Sequence, residues 1–191
     1  MGRVESLADR ALRPALEVTP SVGPGGPVRA RLDERRWHFQ HGPIDLIVAA
    51  DGPEAASAAA CERGWRRFET VLEALVAELP LLRQPVERAA GVRGPTARRM
   101  VRACWPHRRR FITPMAAVAG AVADEVLAAM ADGATDLSKA YVNNGGDIAL
   151  HLGAGAAFRI GVAGDVTRHG HRVPLDGRFE VTAAMPVRGV A

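Results

Sequence analysis

The spacing of hydrophobic residues along the 191-residue chain predicts strands first, helices in the middle and strands again at the end. Two strands are expected over "VRARLDERRWHFQHG" and "PIDLIVAADG", joined by a turn at His41-Gly42-Pro43. The second is nearly all apolar, which is typical of a strand buried on both faces. From Pro53 to Leu79, apolar residues recur every three or four positions, as they do on one face of an amphipathic helix. We expect the prolines of "LPLLRQP" to end this helix, because proline lacks the N–H that a helix interior needs.

Two further helices follow in the sequence. A short one is expected over Pro95 to Cys104, and a longer one begins in "RFITPMAAVAGAVADEVLAAM". Thr113 can cap the longer helix, and Pro114 suits its first position. Its residues are small and uncharged as far as Asp124, so another backbone or a flat ligand can lie close against it. Packing of this helix on a sheet is the commoner explanation of such a stripe.

Five strands are expected after a turn near Asp132-Gly133. They cover residues 140–142, 148–152, 158–162, 178–183 and 187–191. The order strands, helices, strands predicts an α+β layered domain with a mixed or antiparallel sheet, and not a βαβ dinucleotide fold. The cluster "TPSVGPGGP" separates this domain, residues 28–191, from a flexible N-terminal arm over residues 1–27.

Charge and cysteine content add little to the choice of partner. The net charge is +4 and the isoelectric point is near 10, but 21 acids nearly balance 25 basic residues, of which only Lys139 is a lysine. Cys61 and Cys104 are isolated, without the spacing of a zinc site or a disulfide framework. The first residues lack the unbroken apolar core typical of a secretory signal, so none is expected, and no apolar run is expected to be long enough to cross a bilayer. We therefore expect a cytoplasmic protein with no membrane partner.

Two other motifs have simple explanations. The stretch "RRMVRACWPHRRR", residues 98–110, concentrates six arginines around Trp105, which suits phosphates or RNA. Arginines solvated on a helix and its loop are the commoner explanation, so a nucleic-acid partner is not expected. His169 and His171 in "RHGHR" have a spacing found in some metal sites, but a glycine turn at the surface explains it better.

The segment "YVNNGGDIALHL" carries the strongest chemical signal. Two adjacent glycines expose backbone N–H groups and accept positive φ angles, so Gly145 and Gly146 can form a cradle for a ligand. Asp147 adds a carboxylate acceptor, and Asn143 and Asn144 add amide groups of both polarities. Asn-Gly is equally a favoured two-residue hairpin turn, so both interpretations stay open. We expect this strand-loop-strand to face the helix that begins near Pro114.

Several separated motifs together resemble one protein family. "WHFQHGPIDLIVAADG", "RFITPMAAVAGAVADEV", "YVNNGGDIALHL" and the closing "VRGVA" resemble the ApbE-like superfamily of FAD:protein FMN transferases, most closely its short cytoplasmic, uncharacterised branch. The resemblance spans roughly residues 31–191. In it, "NNGGD" matches the family's Asn-x-Gly-Gly-Asp loop at the flavin site, so hairpin and cradle can be one object.

The resemblance implies an ApbE-like fold and Mg²⁺-dependent transfer of FMN from FAD to a Ser or Thr of an acceptor protein. Asn143, Asn144, Gly145, Gly146 and Asp147 are then expected to contact the flavin nucleotide, with Asp147 as the catalytic candidate. The helix start at Thr113 would favour an anion. The metal ligands are unknown. A protein that keeps the fold for non-catalytic binding or as a scaffold is the alternative.

Two departures from the family bear on activity. The family lysine falls on Ala119, so that cation is absent. The family also continues past "GVA" with residues that help hold Mg²⁺, whereas this chain stops at Ala191. The expected domain therefore has its C-terminal part missing, with side-chain metal ligands beyond Ala191. We expect no appreciable transferase activity, and a homo-oligomer formed through an open sheet edge.

Overall fold

The computed structural model describes residues 18–20, 25–89, 91–162 and 176–191. The strands are β1 Val18–Pro20, β2 Val28–Arg31, β3 Arg36–His41, β4 Ile44–Asp51, β5 Lys139–Asn144, β6 Asp147–Leu152, β7 Ala157–Val162, β8 Gly177–Thr182 and β9 Gly189–Val190. The helices are α1 Glu54–Phe68, α2 Val71–Leu82, α3 Pro95–Cys104 and α4 Val118–Ala131. Short 3-10 turns cover Val86–Arg88, Trp105–His107 and Pro114–Ala117.

Seven strands form one antiparallel sheet in the order β1-β2-β3-β4-β5-β6-β9. All four helices lie in the sequence between β4 and β5, which are neighbours in the sheet. This arrangement confirms the α+β class, with an antiparallel sheet packed against helices. β1 falls within the predicted N-terminal arm and pairs with β2, whereas residues 1–17 lie outside the described part of the chain.

The two faces of the sheet are covered by different layers. Helices α1 and α4 pack on one face, where Phe39, Leu46 and Val142 are buried under Phe68 and Val126. The hairpin of β7 and β8 packs on the opposite face of β5 and β6 and forms a second, smaller cluster. Side chains that pair across neighbouring strands point to the same side of a sheet, so each face collects its own set of apolar residues. The larger set lies on the helix-covered face and forms the main core.

The first predicted strand is in fact two strands. Asp33 interrupts it, since its Oδ1 accepts the backbone N–H groups of Arg35 at 2.9 Å and Arg36 at 2.8 Å. An aspartate that caps backbone N–H groups in this way offers the chain a turn in place of the strand ladder. The predicted turn before β4 is confirmed at Gly42, where φ is 55°. The burial of β4 on both faces is only partly correct, because Asp45 is exposed.

The long helix predicted over residues 53–79 is two helices, α1 and α2. The break falls at Glu69-Thr70, and the Thr70 hydroxyl donates to the Arg67 carbonyl at 3.1 Å. Pro80 does not end α2, which continues to Leu82. A hydroxyl that bonds the local backbone competes with helix propagation, and this competition is absent from a pattern of apolar residues alone. The short helix expected over Pro95–Cys104 is confirmed.

The small-residue helix α4 is the central helix of the core. The segment Pro114–Ala131 has a mean hydropathy of 1.4 over 18 residues. By length and composition alone it could cross a membrane, so the expectation that no apolar run is long enough is wrong for this segment. The core helix of a soluble protein passes the same test, and α4 packs against α1, β5 and β6. Its approach to α1 at Gly64 leaves no room for a side chain, because an added Cβ would lie 2.7 Å from Met130 Cγ.

One buried carboxylate connects three helices. Glu125 of α4 accepts from Arg67 of α1 at 2.8 Å and from Arg99 of α3 at 2.9 Å, and its side chain is 10% exposed. Burial by itself raises the pKa of Glu125, but the hydrogen bonds from Arg99 and Arg67 outweigh burial and leave this pKa below the ordinary value of 4.5. The charged form of Glu125 is therefore the one that stabilises the fold.

We expect Glu125→Gln to lower the free energy of unfolding by about 3 kcal/mol at neutral pH, because two arginines lose their buried partner. A group with a lowered folded-state pKa stabilises the fold above its ordinary pKa. The difference between wild type and variant should therefore be complete above pH 4.5 and shrink as pH falls through the lowered pKa. Urea unfolding at several pH values measures both quantities.

Glu62→Gln is the matched control. The Glu62 carboxylate also accepts from two arginines, Arg29 and Arg66, but its side chain is 41% exposed. Solvent screens such a pair, so we expect a loss below about 1 kcal/mol. Equal losses in the two variants would contradict the role assigned to Glu125.

Candidate functional site

The Asn-Asn-Gly-Gly-Asp segment forms the turn between β5 and β6. Asn144 pairs with Asp147, which leaves Gly145 and Gly146 as a two-residue loop with φ angles of 62° and 113°. Positive φ at both positions is typical of the type I′ turn, whose twist matches that of paired strands. The hairpin interpretation is therefore correct as a description of the backbone.

The strand register decides which side chains of the turn face α4. Asn144 pairs with Leu46, a buried residue of the helix-covered face, so Asn144 and its partner Asp147 lie on that face. The Asn144 amide Nδ2 donates to the Ala119 carbonyl in the first turn of α4, at 3.1 Å. This hydrogen bond confirms the expectation that the hairpin faces the helix that follows Pro114.

Asn143 has a structural role in the turn. Its Oδ1 accepts the backbone N–H of Gly146 at 2.9 Å, which closes the turn from the side of β5. The Gly146 N–H is therefore already satisfied. The expected cradle would use the N–H groups of both glycines. Only the Gly145 N–H is available for this, since it donates to no group in the described part of the chain.

The space above the turn is open. A Cβ built at Gly145 or Gly146 would meet no heavy atom within 4 Å, and the same is true at Gly120 in α4. Asp147 is partly buried, and its carboxylate has no hydrogen-bond or ion-pair partner among the described residues. The Gly145 N–H, the Asn144 amide oxygen and the Asp147 carboxylate thus belong to one turn, which lies next to the start of α4.

Thr113 does not cap the helix as predicted. It has extended backbone angles before the 3-10 turn Pro114–Ala117, and its side chain makes no capping hydrogen bond. Its carbonyl accepts from the Ala116 N–H at 3.1 Å and from the Cys104 thiol at 3.5 Å. No cap forms because the chain tightens here into a 3-10 turn, which satisfies backbone groups through i to i+3 hydrogen bonds. No described hydrogen bond connects Thr113 to the hairpin.

Burial disfavours the thiolate form of both cysteines. Burial raises the pKa of Cys61 to about 11, and it also raises the pKa of Cys104. Both are free and buried. Within the described ranges no three His, Cys, Asp or Glu residues cluster as metal ligands. His169 and His171 lie outside the described residues.

A second concavity, which we call the Trp37 groove, lies at the opposite end of the sheet from the glycine turn. It has a volume of about 1040 Å³ and lies between α1 and the helix-facing side of β2 and β3. Arg29 crosses it, with Nη1 2.6 Å from Glu62 Oε2 and its guanidinium 5.5 Å from the centroid of the Trp37 ring. The buried Ser57 Oγ has no partner among the described residues.

The pattern of hydrophobic and polar residues does not predict the Trp37 groove. Its only signal is the alternation in "VRARLDERRWHF", where Arg29, Arg31 and Trp37 fall on the same face once the strand is known to break at Asp33. The break reverses the chain direction, and a one-residue error in register would move each side chain to the other face.

We expect Gly146→Ala to destabilise the protein by about 1 to 3 kcal/mol, because a φ of 113° is accessible almost only to glycine. Gly145→Asn is the matched control at the neighbouring position, since a φ of 62° is the left-handed conformation that asparagine tolerates. Thermal and urea unfolding measure both changes. A Gly146→Ala variant as stable as wild type would exclude the turn geometry described above.

Comparison with known proteins identifies the family of the chain. Residues 29–191 match the model of a protein family described as AbpE bacteria. No curated protein matches the chain. Because the family match covers most of the sequence, including every residue of the hairpin and of α4, the chain belongs to the family described as AbpE bacteria.

Proposed function

We propose that the chain binds a flavin nucleotide, FAD, FMN or a related molecule, between the glycine turn and the start of α4. The observation that supports this proposal is the 3.1 Å hydrogen bond from Asn144 Nδ2 to the Ala119 carbonyl. It fixes the turn against the helix and sets Asn144 and Asp147 side by side on the helix-covered face. The sequence of this loop resembles the flavin loop of FMN transferases, and the flavin-binding role that this resemblance implies stays a prediction.

The polar groups suit the ring and ribityl parts of a flavin better than its phosphates. The Asp147 carboxylate is an acceptor that favours a hydroxyl or a ring N–H and repels a phosphate. The Gly145 N–H can donate to a ring carbonyl, and the Asn144 amide oxygen accepts no hydrogen bond from a described residue. A flavin ring offers a donor N–H between two carbonyls, so the Asp147 carboxylate can accept from this N–H while the Gly145 N–H donates to one of the two carbonyls. The open space over both glycines lets a flat ring approach the backbone.

The contacts at Ala119 favour binding over group transfer. Ala119 occupies the place of the family lysine, and its carbonyl is already an acceptor for Asn144. A methyl side chain supplies no positive charge to a pyrophosphate, whose charge must be neutralised in phosphoryl-type transfer. We therefore propose non-catalytic flavin binding as the function of this part of the chain, with FMN transfer to a Ser or Thr of an acceptor protein as the second candidate.

We expect Asp147→Ala to weaken the binding of FMN and FAD about tenfold, the equivalent of one lost charge-assisted hydrogen bond of ~1.5 kcal/mol. Titration calorimetry measures the affinity. Asp132→Ala is the control, because Asp132 is exposed at the other end of α4 and removes the same charge. An absence of flavin affinity in wild type, or equal weakening by both substitutions, would exclude the proposed site.

We expect no flavinylated product when the chain is incubated with FAD, Mg²⁺ and a peptide with an Asp-x-x-Thr motif, because no cation stands at Ala119. Mass spectrometry of the peptide is the measurement. A flavinylated peptide made by wild type would favour the transferase. It would leave the calorimetric test of binding unaffected, since binding and transfer are measured separately.

A further inference from the structure

The arginines of the chain are unevenly distributed. Residues 83–111 contain nine arginines and a single acid, Glu87, whereas the whole chain has a net charge of only +4. The rest of the sequence is therefore acidic overall. We call this segment the arginine segment; it comprises the loop after α2 with its 3-10 turn Val86–Arg88, then α3, the 3-10 turn Trp105–His107 and the loop that leads to Ile112.

Eight of the nine arginines are exposed and unpaired. Arg99 binds Glu125, and the others make no ion pair with a carboxylate of the described residues. The eight are Arg83, Arg88, Arg93, Arg98, Arg102, Arg108, Arg109 and Arg110. Elsewhere the arginines of the described chain mostly have partners: Arg29, Arg36 and Arg67, for example, each bind a carboxylate within 3 Å. A general excess of arginine in the composition does not explain this difference.

Two exposed aromatic side chains lie among these arginines. Phe111 is 84% exposed and Trp105 is 43% exposed. The Arg108 guanidinium lies 4.9 Å from the centroid of the Trp105 ring, within the range of a cation–π contact. An exposed phenylalanine is costly in water, and its position beside three consecutive arginines is unexplained by packing within the described fold.

Two shallow grooves run along this surface. The first, about 470 Å³, has an apolar floor of Val92, Val101, Trp105 and Pro106, with Arg98 and Arg102 beside it. The second, about 370 Å³, lies between Pro85–Glu87 and residues 108–112 and includes Phe111. Arg108 lines the second groove and stacks on Trp105, which lines the first, so the grooves adjoin each other through this residue.

We propose that the arginine segment binds single-stranded nucleic acid. Proteins that bind single strands combine a positively charged groove, which follows the phosphates, with aromatic rings on which bases stack. The unpaired arginines supply the charge, and Phe111 supplies an open ring face. An anionic membrane is the main alternative, but a flat bilayer does not enter two adjoining grooves, whereas a flexible strand does. This surface is separate from the glycine turn, so neither proposal depends on the other.

The test is fluorescence anisotropy with a labelled oligouridine of about 20 nucleotides, which exceeds the site sizes of single-strand-binding folds. The affinity of wild type is measured from about 50 to 200 mM salt, and log K should fall linearly with log salt. The variant R108Q/R109Q/R110Q should bind at least about tenfold more weakly at low salt. Its salt slope should be smaller by about two, since each lost phosphate contact contributes about 0.7.

Two further variants separate this site from general electrostatic attraction. R66Q/R159Q/R178Q removes the same charge from exposed positions outside the segment and should change the affinity by less than about twofold. Phe111→Leu keeps an apolar side chain but removes the ring, so it should weaken binding about tenfold at an unchanged salt slope. Circular dichroism checks that each variant is folded.

Three results would overturn the proposal. The first is an equal loss of affinity in the two triple variants, which would show attraction to the whole protein. The second is full oligouridine affinity in Phe111→Leu. The third is binding to vesicles that contain phosphatidylserine without binding to oligouridine, which would identify the segment as a membrane surface.

Discussion

The arrangement of the helical layer depends on one buried carboxylate. Glu125 holds arginines from two other helices, Arg67 and Arg99, and so fixes α1 and α3 against α4. Taking the Glu125 carboxylate out of water is costly, and the cost is repaid only when both arginines are present with good geometry. The helices can therefore pack in few other ways. Two surfaces follow from this constraint: the side of α4 that meets the glycine turn, and the side of α3 that presents unpaired arginines to solvent.

The register of the central strands carries the constraint from the helices to the turn. Val142 and Asn144 alternate with Asn143 along β5, so burial of Val142 under the helices places the Asn144 amide next to α4. The same alternation turns Asn143 to the other face, where its oxygen closes the turn. A slip by one residue would exchange the two asparagines and bury the wrong amide. The stability of the core thus also selects which polar groups are available beside the helix.

The sequence predicts much of this structure because its strongest signals are local. The alternation of β5 and β6, the two glycines between them and the proline before α3 each specify backbone geometry within a few residues. The predicted strand and the predicted long helix each break in two where a polar side chain hydrogen-bonds the nearby backbone, as Asp33 and Thr70 do. Hydrophobic spacing carries no information about such hydrogen bonds. The Trp37 groove and the unpaired state of the arginine segment could not be predicted either. Both depend on which distant residues approach each other, and single-sequence patterns do not contain that information.

The insertion of all four helices between neighbouring strands has a consequence for how the chain folds. The β3–β4 and β5–β6 hairpins each form from local contacts, but joining them requires Ser138 to reach Asp51, 87 residues earlier. Closing so long a loop costs entropy before any contact between β4 and β5 repays it. During synthesis the edge of β4 that pairs with β5 keeps its backbone N–H and C=O groups unpaired until the whole helical region and β5 have left the ribosome. Early docking of α1 onto β3 and β4 shields the face of this hairpin but not its edge, so the interval before β5 arrives is when the nascent chain is most prone to pair with a neighbour.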